Sequence, residues 1–261
     1  MNTLKEKLVE PTPDGVPTLT LTGRIARITL NRPAQANRLG PDDLVALSAH
    51  IAAVKTSDAL VLQLAGSGKH FCSGFDLGQF ATRTEKSAFE DVVNALEDCR
   101  PVTIAAINGG VYGGATDLAL ACDFRIGVEG TRMFMPAARL GLHFYQRGLE
   151  RYVSRLGLDM AKRMFLTCAE FDAGQLLACG FLTECVARED LDARVSALSE
   201  HLAGMAPIPL LGMKRHLNAI ARNALDVEAL NADIRRAVAS SDLAEGARAW
   251  AEKRRPHFTG Q

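Results

Sequence analysis

Residues 113–118, GGATDL, follow an apolar run, VTIAAI, and open a stretch rich in alanine and leucine. A strand, a glycine turn and a helix start leave backbone N–H groups aimed at one spot, and the helix dipole adds partial positive charge there. That arrangement suits an oxyanion. Asp117 lies one turn into the helix, where a carboxylate can take or give a proton. A second strand-to-glycine segment upstream, HFCSGFDL (70–77), is placed to supply another N–H. Two converging donors of this kind would stabilise an enolate oxygen.

The elements that must hold these residues read as alternating strands and helices. Val16 to Leu30 contains two β-patterned runs split at Gly23, which predicts a hairpin, and Pro33 ends the second. From Pro41, Leu44, Leu47, Ile51 and Val54 recur on one helical face, with Asp42 and Asp43 at its positive end. Leu60 to Ala65 reads as a buried strand, Ser87 to Asp98 as a helix, and 102–107 and 123–128 as further strands. Such alternation predicts an α/β fold with a parallel sheet flanked by helices. Segments 149–180 and 189–255 are mostly helical in pattern, with breaks at Gly157, Gly180 and Pro207/Pro209. No linker or repeat divides the chain, so one domain is expected over 1–261, with a core to about 195 and a helical region from about 196.

The 261 residues carry 30 basic and 30 acidic side chains, so global charge offers no case for nucleic acid or an anionic membrane. The N-terminus lacks the apolar segment of a signal peptide, and no stretch approaches the roughly 20 apolar residues of a membrane span. Six cysteines, with no CxxC pair, fit buried free thiols in a reducing compartment. The expected location is cytoplasmic, with no metal, flavin or nicotinamide.

Five segments in order, ITLNRPAQANRL (28–39), GSGKHFCSGFDL (66–77), AINGGVYGGATDLALACDFRI (106–126), PAARLGL (136–142) and AEKRRPHFTG (251–260), resemble the crotonase (enoyl-CoA hydratase/isomerase) superfamily over nearly the whole chain. The resemblance implies a spiral of ββα units with a helical C-terminal extension that assembles trimers, often paired into hexamers. It implies an acyl-CoA thioester as substrate, with CoA entering as part of it and no separate cofactor. By position, the oxyanion donors are the N–H groups of Phe75 and Gly114. Ala36, Asn37, Arg38, Ser73, Asp76 and Leu77 match positions that clasp CoA, and Lys253 and Phe258 match a pair that reaches a neighbouring subunit's CoA.

The chain departs from the family where hydratases place two glutamates around a catalytic water. The first aligns with Asp117, whose side chain reaches about 1.3–1.5 Å less. The second aligns with Ala137, which cannot titrate. Beyond Gly141, His143 and Tyr145 occupy a bulky loop and are candidates for the missing acid or base. Glu85 and Glu90 are candidates for a substitute carboxylate, His70 for a structural or CoA-facing role, and Arg139 for contact with solvent or a neighbouring subunit.

These residues point to an acyl-CoA enzyme of the hydratase/isomerase type, in which a backbone oxyanion hole stabilises a thioester enolate. One carboxylate suits double-bond isomerisation better than hydration. The alternatives are decarboxylation of a methylmalonyl-type thioester, for which Asp117 would repel the substrate carboxylate, and a CoA-binding role with catalysis lost.

Overall fold

The computed structural model describes residues 15–76, 78 and 88–261. Strands β1 (Thr18–Thr22) and β2 (Ile25–Leu30) form the expected hairpin around Gly23, the antiparallel edge of a six-stranded sheet. The other four strands, β3 (Val61–Gly66), β4 (Val102–Ile107), β6 (Phe124–Val128) and β9 (Glu184–Val186), run parallel, in the order β1-β2-β3-β4-β6-β9. A second sheet joins β5 (Val111–Tyr112), β7 (Arg132–Phe134) and β8 (Phe171–Asp172). The strand–strand–helix progression, seen in β4, β5 and the helix that follows, is the expected spiral unit.

A parallel sheet must be covered on both faces, and β4 is buried along its whole length. Val102, Ile104 and Ala106 pack with Leu191, Val195 and Leu202 of helix 191–203. Ala105 and Ile107 pack into the larger core with helices α1 (Pro41–Thr56), α2 (Ala88–Glu97) and α3 (Gly114–Ala121). β8 departs from the helical expectation for 149–180, and β9 lies between the two segments expected to be helical. At two and three residues, β8 and β9 are too short to show periodicity, and each forms only because a neighbouring strand offers it a ladder.

The last three helices, Pro207–Ala221, Val227–Val238 and Ser241–Ala251, leave Leu217, Ile220, Val227, Ile234 and Val238 exposed, and Trp250 is 88% exposed. Among the described residues no helix is long and apolar enough to cross a membrane.

The loop after β2 sets the position of the second glycine segment. Leu39 N–H donates to Gly74 O, Asp76 N–H to Leu39 O and Ser73 N–H to Ala36 O, each at 2.9 Å, so 36–39 runs beside 73–76. Asn37 locks this loop. It is buried at φ +53, a left-handed conformation that asparagine tolerates better than most residues. Its Nδ2 donates to the carbonyls of Ser67, His70 and Phe71, while Oδ1 accepts from Arg32 N–H and the Ser67 hydroxyl. Asn37→Ala strands these buried groups and is expected to cost about 2–4 kcal/mol, read as a lower midpoint in urea unfolding.

Candidate active site

Glycines bring two chain segments closer than side chains would permit. Segment 71–73 lies against 110–112, through Phe71 N–H to Gly110 O and Tyr112 N–H to Cys72 O, both at 3.0 Å. Gly74 turns at φ +93, and a Cβ there would sit 2.8 Å from Tyr112 O and 3.1 Å from the Gly114 nitrogen. Only glycine satisfies both the backbone angle and that approach. Gly113, at φ +54, donates to Phe134 O at 3.0 Å and turns the chain into α3. Gly114 N–H then heads the helix with no hydrogen-bond partner among the described residues. A Cβ at Gly114 would meet the Phe89 ring at 2.9 Å, so α2 also relies on glycine here.

These segments border a cavity of about 280 Å³. Phe75, Gly114, Ser73, His143 and Tyr145 line it; so do Tyr112, which the sequence argument did not single out, and Ala137. None of the described lining residues is a carboxylate. His143 is exposed, and its Nδ1 lies 2.8 Å from Phe144 O.

Asp117, expected to face the reacting atoms, does not line the cavity. Its side chain is fully buried, with both oxygens 2.7 Å from one nitrogen of Arg151. The Tyr145 hydroxyl donates to Asp117 Oδ2 from the cavity side. The correction is steric and electrostatic: Tyr145 stands between the carboxylate and the cavity, and Arg151 neutralises it. Burial, then the charge of Asp117 and the hydrogen bond to it, push the Tyr145 phenol well above its ordinary value.

Arg151 is itself fully buried and held from behind by Glu97, at 3.0 and 3.2 Å, and by Asn94 at 3.0 Å. Glu97 also receives Arg147 at 2.8 Å, Arg222 at 3.2 Å and Arg155 at 3.4 Å. Sequence reasoning missed this cluster. Its signal was Arg147, Arg151 and Arg155 at four-residue intervals, which places three guanidinium groups on one face of helix Gln146–Leu156. Beside Asp117, Thr116 shares a hydrogen bond with buried Tyr152 and donates to Gly113 O at 2.7 Å, steadying the turn.

The Asn37 side chain, expected to clasp CoA, makes its hydrogen bonds inside the protein. Ala36, at φ +50, and Arg38 share that loop, and Arg38 lies 3.7 Å from Asp76 beside a separate cleft of about 200 Å³. Lys253 is exposed, and Phe258 O accepts from Arg24 at 2.9 Å; neither borders this chain's cavity. Glu90 does not line it either, His70 Nδ1 is buried without a partner among the described residues, and Arg139 is exposed. Leu77 and Glu85 lie outside the described residues.

A glycine-headed helix bordering an apolar cavity, on a spiral of strand–strand–helix units, defines an α/β class of protein whose helix start can meet an oxyanion. The family model for enoyl-CoA hydratase/isomerase matches residues 20–261. The chain is 30% identical to a probable enoyl-CoA hydratase from Rhodobacter capsulatus, over 91% of this chain and 95% of that one. It is 28% identical to a peroxisomal Delta(3,5)-Delta(2,4)-dienoyl-CoA isomerase of Arabidopsis thaliana, over 90% and 92%. The crystal structure of an enoyl-CoA hydratase from Bacillus anthracis superposes with a TM-score of 0.86 at 26% identity, covering 95% of this chain and all of that one. The chain belongs to the enoyl-CoA hydratase/isomerase family, and it is an enzyme of that type.

The arginine cluster makes acid stability testable. Burial alone would raise the Glu97 carboxyl, but the Arg151 hydrogen bond and the charges of Arg151, Arg155 and Arg147 outweigh it and hold it at about 2, against an ordinary 4.5. A group with a depressed folded value contributes stability above its unfolded value, and loses it as pH falls through the folded one. Stability should therefore decline from about pH 4.5 towards 2, and Glu97→Gln should be less stable at pH 7 with a flatter decline over that window, measured by urea unfolding at stepped pH.

Proposed function

We propose that the protein binds an acyl-CoA thioester in the cavity, polarises its carbonyl with the N–H groups of Phe75 and Gly114, and moves a double bond by shuttling one proton through Tyr145. The observation that carries this reading is Tyr145 itself: the residue lines the cavity, and its hydroxyl is hydrogen-bonded to a carboxylate held by a buried arginine. As a 3-enoyl thioester loses its α-proton to the Tyr145 oxygen, the Tyr145 proton passes to Asp117. The enolate charge rests on the two N–H groups, the proton returns at the γ-carbon, and the double bond ends conjugated to the carbonyl. Removing one oxyanion donor typically costs about 2.7–4 kcal/mol in the barrier. Hydration between two carboxylates has no support here, because Ala137 occupies the second position.

Decarboxylation is the second reading, and the Asp117–Arg151 pair favours it. Repulsion of a malonyl-type carboxylate by Asp117 was the objection, and a carboxylate neutralised by arginine behind a tyrosine repels little. Loss of carbon dioxide would leave its electron pair on the same enolate without any base. Under either reading CoA enters with the substrate and no further cofactor takes part. Arg38 and Asp76 are placed to meet the CoA moiety with Ala36, Ser73 and Leu77. The exposed apolar face of the last three helices suits assembly into a homotrimer or hexamer, in which Lys253 and Phe258 would reach a neighbour's CoA. Six free cysteines suit the reducing cytoplasm.

With 3-hexenoyl-CoA, the wild type should produce the conjugated 2-enoyl thioester. Tyr145→Phe should lower kcat about 10²–10⁴-fold with KM little changed. Full turnover by a folded Tyr145→Phe protein would remove Tyr145 from the mechanism. Carbon dioxide release from methylmalonyl-CoA, with no isomerisation of the 3-enoyl thioester, would establish the second reading.

A further inference from the structure

We infer that this site is shaped for an acyl group carrying an aromatic ring, an inference that rests on the acyl-CoA reading above. Aromatic residues make up 6% of the chain, yet they provide six of the sixteen described residues around the cavity: Phe75, Phe89, Tyr112, Phe134, Phe144 and Tyr145. Phe89 belongs to the core, and Phe75, Phe144 and Tyr145 pack against it while also bordering the cavity. Phe71, Phe171, Phe181 and Tyr152 fill the interior and are fully buried, whereas all but Phe89 of the cavity rings are only half-buried and present surface to the space they border.

The rings are arranged as pairs, one within a single loop and two between separate segments. Phe144 and Tyr145 stack with centroids 4.6 Å apart and planes at 23°. Tyr112 and Phe134 meet at 5.3 Å and 52°, and Phe75 and Phe89 at 6.2 Å and 51°. An aromatic ring carries a negative face and a positive edge, so a planar guest finds faces to stack on and edges to meet. A saturated chain in the same space gains only buried area. The walls are also fixed in advance: the Tyr145 hydroxyl is tied to Asp117, and Phe144 is braced by Phe165 at 5.0 Å. Preorganised walls cost less ordering on binding. Room is sufficient, since a dry cavity of roughly 150 Å³ already admits benzene and this one measures about 280 Å³.

The test uses three thioesters with acyl groups of equal carbon number and no double bond to turn over: 3-phenylpropanoyl-CoA, 3-cyclohexylpropanoyl-CoA and nonanoyl-CoA. Titration calorimetry on the wild type should show the phenyl compound binding about two- to tenfold more tightly than either of the others. Phe134→Leu should bring that ratio towards one. Equal affinities, or tighter binding of the cyclohexyl or straight-chain compound, overturn the ring preference. Failure of all three to bind overturns the acyl-CoA reading beneath it, so the two failures are distinct.

Discussion

The buried pair between Arg151 and Asp117 is the interaction on which the structure behind the cavity depends. Two charges removed from water are costly, and leaving one alone costs more than the pair, so each partner constrains the other. Arg151 satisfies both Asp117 oxygens and is itself held by Glu97 and Asn94. Tyr145 in turn joins the Asp117 carboxylate to the lining of the cavity. The aspartate at 117 and the tyrosine of the bulky 143–148 loop, which look like separate departures from the family, are linked by a hydrogen bond.

The second constraint is backbone proximity. β4 and β5 bring the chain to Gly113, and the ladder between 71–73 and 110–112 fixes the partner segment beside it. Gly74 then lets that segment pass within reach of Gly114. The loop pinned by Asn37 carries the same geometry to the opposite side of 73–76. None of this needs a reactive side chain: the contacts between the segments are main-chain ones, and residue identity enters only through what glycine and asparagine permit.

Much of this was legible in the sequence, for physical reasons. The hairpin at Gly23, α1 with its two early aspartates, the apolar β4 and the glycine turn all follow from local pattern, because each is decided by neighbours a few residues away. The four- and five-way contacts of Glu97 and Asn37 were not legible. They join residues tens of positions apart, and a glutamate ending an amphipathic helix or an asparagine in a loop looks like ordinary polar surface. Asp117 stands at the head of its helix as local pattern predicts, but nothing in that pattern points to Arg151, 34 residues on. β8 and β9 escaped notice because so few residues carry no periodicity of their own.

The chain has one tryptophan, and it lies on the outer face of the last helix, 88% exposed, far along the sequence from every residue that borders the cavity. Its fluorescence therefore belongs to the outside of the fold. A shift of that emission to the blue reports that something has covered the helical face. The phenylalanines and tyrosines around the cavity do not include it. The protein thus carries a single optical reporter on its C-terminal helices, and whatever covers that surface can be followed without a label.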